Sequence, residues 1–231
     1  MNRNILTIAA AAAISGTAFA DITGAYVVNY SVTATDFDGS DVTVFVQDLY
    51  LSSNDAADTA LNVYNFDTSS ANNAATNYFQ SFTGTGWQPG NLGGPFDTAA
   101  LRQADSFVTI GGFAQGVAAP EQAPGTGAGT GLDPNFGGNN AAAPGPDAGW
   151  YNGSPPSLNG QVGSVEGSAL GVIVGRFATV EQYDLVNSTL EVTWNQGLGT
   201  DGQQASFIVT PAPGAVALLG LAGLANRRRR G

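Results

Sequence analysis

The 231-residue chain contains no cysteine, no histidine and no lysine. Without cysteine there is no disulfide framework, no thiolate zinc site and no sulfur nucleophile. Without histidine the commonest general base, the usual metal ligand and every Ser-His-Asp arrangement are gone. Without lysine, Schiff-base chemistry and a phosphate-binding P-loop are excluded. Charge of either sign is scarce too: 11% of residues carry it, against about a quarter in an average soluble protein. The charge that remains is segregated. Five of the seven basic residues, Arg3 and Arg227 to Arg230, lie in the terminal segments, and all 18 acids fall between Asp21 and Asp201. The body keeps only Arg102 and Arg176, which leaves it a net charge of −16. Such a surface repels a phosphate backbone, so nucleic acid is not an expected partner. Its plainest use is to keep a body soluble outside the cell.

Glycine and proline are plentiful, at 32 and 11 residues, and stretches of alternating apolar and polar residues recur. Tyr26 to Ala34, Asp41 to Leu51, Leu61 to Phe66 and Ser106 to Phe113 read as strands. Ala169 to Val180 is apolar on both faces, as a strand buried on both sides would be. Leu190 to Trp194 alternates cleanly. After the turn-rich Gly197 to Gly202 stretch, Ala205 to Thr210 returns as a hairpin partner. Seven short strands without a sustained helical period predict an all-β body, a β-sandwich or jelly roll, over residues 21–210. Residues 114–160, dominated by Gly, Ala, Pro and Asn, read as one long surface loop pinned by Phe136, Trp150 and Tyr151.

The ends are ordered differently. Arg3, then the ten-residue apolar run from Ile5 to Ile14, then Ala18-Phe19-Ala20, have the order of a secretory signal. Small residues at Ala18 and Ala20 predict cleavage before Asp21, removing residues 1–20. Residues 211–231 form a tail: Pro211-Ala212-Pro213, an apolar run from Gly214 to Ala225, and Arg227, Arg228, Arg229 and Arg230. Twelve helical residues span about 18 Å against a hydrocarbon core of about 30 Å, so the span is marginal unless lengthened or helped by arginine snorkelling. The arginines would stay cytoplasmic and hold the body outside.

A proline motif, a short Ala/Leu/Gly-rich helix and a terminal arginine cluster, in that order, resemble the PEP-CTERM sorting signal of Gram-negative-type bacteria. The resemblance covers about the last 21 residues, and Ala212 stands where the family usually has Glu. It implies that an exosortase, a membrane cysteine protease, recognises the tail and cuts near the proline motif. The partners expected from the two ends are signal peptidase, an exosortase-type protease and, transiently, the inner membrane. The destination is then the cell surface or an extracellular matrix, with surface polysaccharide a further candidate partner.

No catalytic residue, cofactor or metal site is assigned. The Asp36-Phe37-Asp38-Gly39-Ser40-Asp41 turn places three carboxylates where a hard cation such as calcium would want them. It lacks the distal Glu of a full loop, and Asp and Gly are also the residues of ordinary turns. Trp87, Phe136, Trp150 and Tyr151, all in Gly/Pro/Asn-rich stretches, would form a sugar-binding platform if exposed. A glycoside-acting site would need two carboxylates about 5–9 Å apart, and no motif singles out such a pair. The leading expectation is a non-enzymatic surface or matrix protein. A carbohydrate- or calcium-binding sandwich comes second, and a glycoside-acting enzyme third.

Overall fold

The computed structural model describes residues 21–36, 38–80, 86–88, 98–111, 130–153, 159–163 and 171–213. Nine strands form one mixed sheet: β1 (Ile22–Thr35), β2 (Asp41–Ser53), β3 (Thr59–Asp67), β4 (Phe107–Val108), β5 (Thr130–Leu132), β6 (Ala148–Asn152), β7 (Gly171–Thr179), β8 (Thr189–Asn195) and β9 (Gln203–Pro211). Their order is β4-β7-β2-β1-β9-β8-β3-β6-β5. A short helix, α1 (Ala99–Ala104), and one 3-10 turn (Pro134–Phe136) complete the described elements. The expected all-β, sandwich-like body is present, as a sheet curled nearly into a barrel.

β1 and β2 make a long hairpin in register from Ala25↔Leu51 to Thr35↔Asp41. β8 and β9 make the second expected hairpin. The join between the halves is parallel: β1 lies beside β9 at Ala25↔Val209, Tyr26↔Thr210 and Val27↔Pro211. Apolar residues of both halves meet in one core, Val27, Leu49 and Val174 facing Val63, Leu190 and Val192. The two outer edges nearly meet as well. Trp87 and Gln88 lie between them: Trp87 O accepts from Val108 N, and Gln88 Nε2 donates to Thr130 O.

β7 is buried at every position. Val172, Val174 and Phe177 enter the main core, while Ala178 faces a second, smaller core with Val32, Ala34, Val44 and Val46. α1 closes that second core with Leu101 and Ala104. Its first turn is fixed by Thr98, whose hydroxyl oxygen accepts from Leu101 N at 3.2 Å, as an N-cap should.

The stretch 114–160 departs from its expected character. Residues 114–129 and 154–158 lie outside the described residues, but the rest holds β5, β6 and the 3-10 turn rather than a surface loop. β5 and β6 pair with each other, and β6 pairs with β3. Strands this short need few apolar residues of their own when the neighbouring strand supplies the ladder. Phe136 and Trp150 anchor the stretch as expected, both fully buried.

Candidate functional site

The terminal segments carry the strongest sequence signals, and most of them fall outside the described residues: Ala18, Ala20 and Arg227 to Arg230 are not placed. Asp21 is placed, and its backbone N donates to Asn54 Oδ1 at 2.8 Å. Pro211, Ala212 and Pro213 are placed at the end of the last strand. Pro211 closes β9 against Val27, and Ala212 N donates to Val27 O at 3.0 Å. A proline has no N–H to give a ladder, so Pro211 donates nothing itself and the bond to Val27 O comes from the residue after it. Pro211 and Pro213 are exposed. No helix among the described residues is long and apolar enough to cross a membrane, and the apolar run from Gly214 onward lies outside them.

Near Asp21, a second acid is strained by its surroundings. Asp58 is fully buried; its Oδ2 accepts from Ser53 Oγ at 2.6 Å and its Oδ1 has no hydrogen-bond partner. Burial first, and then the charges of Asp55 and Asp21, push its carboxyl above the usual range, with Ser53 and Gln196 pulling the other way. A carboxyl raised in the fold binds its proton more tightly there than in the unfolded chain, so folding is favoured at low pH. That advantage is lost as pH rises from the unfolded value, about 4, through the folded one. Asp58→Asn should therefore raise the melting temperature at pH 7 and show little gain near pH 4, which thermal melts across that range would check. A loss at both pH values would mean that the charge is needed.

The Asp36–Asp41 turn is held by its own hydrogen bonds. Asp38 Oδ1 accepts from both Ser40 N at 2.8 Å and Ser40 Oγ at 2.5 Å, and Asp41 Oδ1 accepts from Thr35 Oγ1 at 2.9 Å. The Ser40 bonds hold the Asp38 carboxyl below its ordinary value. Gly39 adopts φ +85°, which a side chain would resist. No group of three acids placed to hold a metal ion occurs among the described residues. The turn is an Asx-type connection of the β1–β2 hairpin.

The aromatic platform is overturned for three of its four members. Trp87, Phe136 and Trp150 are 0%, 0% and 1% exposed. They form an aromatic cluster with Phe66, Tyr78 and Phe177, ring centroids 5.3–6.1 Å apart and mostly edge-to-face. Their indoles find partners inside: Trp87 Nε1 donates to Ala141 O at 2.7 Å and Trp150 Nε1 to Thr109 O at 3.1 Å. Large rings in sparse Gly/Pro/Asn stretches are the only bulk those stretches offer the core, so they go inside. Tyr151 alone stands on the surface, 47% exposed.

Two features escaped the sequence reading. The first is an ion pair between β2 and β7. Asp48 and Arg176 sit directly opposite in the ladder; Nε meets Oδ1 at 2.7 Å and Nη2 meets Oδ2 at 2.9 Å, with Arg176 1% exposed. Tyr30 donates its hydroxyl to Asp48 Oδ2 at 3.1 Å, Nη1 donates to Arg102 O, and the guanidinium lies 5.3 Å from the Phe107 ring centre. Burial works against the guanidinium's charge, and Asp48 more than offsets it, so its pKa is raised. An arginine inside an apolar strand was the signal available: only a buried acid nearby makes it tolerable.

The second is a cleft of about 820 Å³ between residues 73–80, 140–142 and 179–183. Asn73, Asn77, Gln80, Asn140 and Gln182 line it, and Glu181 is its one acid. Neither amide atom of Gln80 has a hydrogen-bond partner. The lining is mostly neutral hydrogen-bonding groups. No family model, curated protein or solved structure matches the chain.

Proposed function

We propose that this chain is a non-enzymatic exported protein, sorted through its C-terminal tail to the cell surface or an extracellular matrix. The carrying observation is the fit between the fold and the two sites of processing expected from the sequence. β1 opens at Ile22, one residue past the cut expected between Ala20 and Asp21, and β9 closes at Pro211, on the proline motif. Removing residues 1–20 would leave the sheet whole, and so would a cut beyond Pro213. The motif also lies where a protease could reach it, with Pro211 and Pro213 exposed at the end of the ladder. Absence of histidine, cysteine and lysine fits a protein that does no chemistry of its own.

The test is made in a host that has an exosortase. Intact-mass measurement of the wild type should find a form that begins at Asp21, lacks the tail and is released from the membrane. Pro211→Ala with Pro213→Ala should give a form that begins at Asp21 but stays full-length and membrane-bound. Extracellular protein beginning at Met1 would overturn the signal reading. Retention of the tail by both proteins, with identical fractionation, would leave a plain anchor instead of a sorting signal.

A further inference from the structure

The sheet has two outer faces, and they are finished differently. On the β7-β2-β1 half, α1 covers the outer face and closes the second core. On the β6-β3-β8-β9 half, the outward side chains are mostly polar and partly or fully exposed, with Tyr64, Tyr151 and Ile208 the large apolar groups left open. One row crosses all four strands in register: Tyr151 opposite Asn62, Asn62 opposite Thr193, Thr193 opposite Gln204. The next row runs Asn65, Glu191, Ser206. Gln204 Nε2 donates to Thr193 Oγ1 at 3.2 Å and Asn65 Nδ2 to Glu191 Oε2 at 3.3 Å, while the Oδ1 atoms of Asn62 and Asn65 are turned away from solvent and buried.

Tyr151 ends the first row in an unusual seat. Gly131 of β5 is its cross-strand neighbour. A Cβ at Gly131 would fall 2.2 Å from Tyr151 Cζ and 2.5 Å from its Oη, so the phenol occupies the place of its neighbour's side chain. Strand side chains ordinarily stand up from a sheet; this ring instead lies across the adjacent strand, with 47% of its surface open. Only glycine at 131 permits that.

We infer that this face is a binding surface for a neutral polysaccharide, with Tyr151 as the stacking platform and Asn62, Thr193 and Gln204 as its hydrogen-bonding row. A ring laid on a sheet offers a broad apolar face to the C–H face of a sugar. Amides and hydroxyls beside it supply both donors and acceptors for sugar hydroxyls. The row spans three strand spacings, about 14 Å, long enough for a chain rather than a single sugar. Charge narrows the occupant further. The two rows carry one charged group, Glu191, and no cation, on a body of net charge −16, so an anionic polymer is repelled. A protein partner would want one apolar centre, whereas Tyr151 and Ile208 stand at opposite corners of this face, three strands and four residues apart in register. This inference stands independently of export and sorting, because it concerns the folded body alone.

Affinity electrophoresis of the full chain tests it, in gels containing hydroxyethylcellulose, galactomannan or dextran, with alginate as the anionic counterpart. Retardation is expected in at least one neutral gel and not in alginate. Tyr151→Ala should weaken it about tenfold or more without moving the melting temperature, and Tyr151→Phe should keep it. Gly131→Ala should weaken it with Tyr151 still present, because the new Cβ lifts the ring. Unchanged mobility in every neutral gel overturns the inference, as does retardation in alginate alone. Retardation that Tyr151→Ala leaves intact but Gln80→Leu removes would also overturn it, and would place the ligand in the cleft instead.

Discussion

Arg176→Met should destabilise the protein by about 3–5 kcal/mol, the usual cost of leaving a buried charge without its partner. Methionine fills much of the space between Tyr30 and Phe107, so lost packing contributes little. The loss comes from Asp48, which keeps Tyr30 as a donor but loses both guanidinium contacts. Against a total stability of about 5–15 kcal/mol, that is enough to leave a marginal fold. In a body of roughly 190 residues each kcal/mol moves the melting temperature by about 2–4 °C, so a fall of about 6–20 °C is expected. The double variant Asp48→Leu with Arg176→Met removes both charges and should regain most of the loss. A double-mutant cycle by denaturant melts reads the coupling. If the double variant is as unstable as the single one, the pair is doing something other than cancelling two buried charges.

Trp150→Ala should be comparably severe, about 3–5 kcal/mol, as for other buried tryptophans. Trp150 fills the core between Phe66 and Phe136, at centroid distances of 5.8 and 6.1 Å. It also carries a bond across the fold, because Thr109 O accepts from its indole. Alanine would open a cavity and leave that carbonyl without its donor, a further cost of about 1–3 kcal/mol where water cannot enter. Trp150→Phe keeps most of the volume and loses only the bond, so the difference between the two variants separates packing from hydrogen bonding. Urea melts supply both numbers. A Trp150→Ala protein within 1 kcal/mol of wild type would mean that this part of the core collapses around the gap, about a third of the expected cost.

The strands that the sequence announces are those whose alternation is local. β1, β2, β8 and β9 each bring their own period-two pattern, and the glycine-rich turn between β8 and β9 declares their pairing. β5 and β6 were invisible for a physical reason. Thr130–Leu132 and Ala148–Asn152 are short and poor in β-branched residues; β6 is a strand because β3 offers it an edge, 82 to 89 residues away in the chain, and β5 because β6 then offers one in turn. The same non-locality hid the Asp48–Arg176 pair, whose partners are separated by 128 positions. The aromatics of the Gly/Pro/Asn stretch illustrate the limit of composition. Trp150 and Tyr151 are adjacent, yet strand alternation sends one into the core and the other out to solvent. Once β6 is known to be a strand, that opposite fate follows at once; while the stretch is read as a loop, it is invisible. The proposed processing motifs rest on linear patterns, a signal-like start and a proline-apolar-arginine tail, which need no partner elsewhere in the chain.

The position of β9 sets a timetable. The last of the described strands is not added at an edge: it stands between β1 and β8 and joins the two halves of the sheet order. A chain passing N-terminus first across a membrane can form the β1–β2 hairpin early, but the β1–β9 and β8–β9 pairings wait until residues 203–211 have crossed. Contacts that join the first strand to the last, 184 residues apart at Ala25 and Val209, are of the kind that slow folding. On the proposed export route the body would travel as an incomplete structure for almost its whole passage, and its sheet would close only when the segment just ahead of the proline motif arrives.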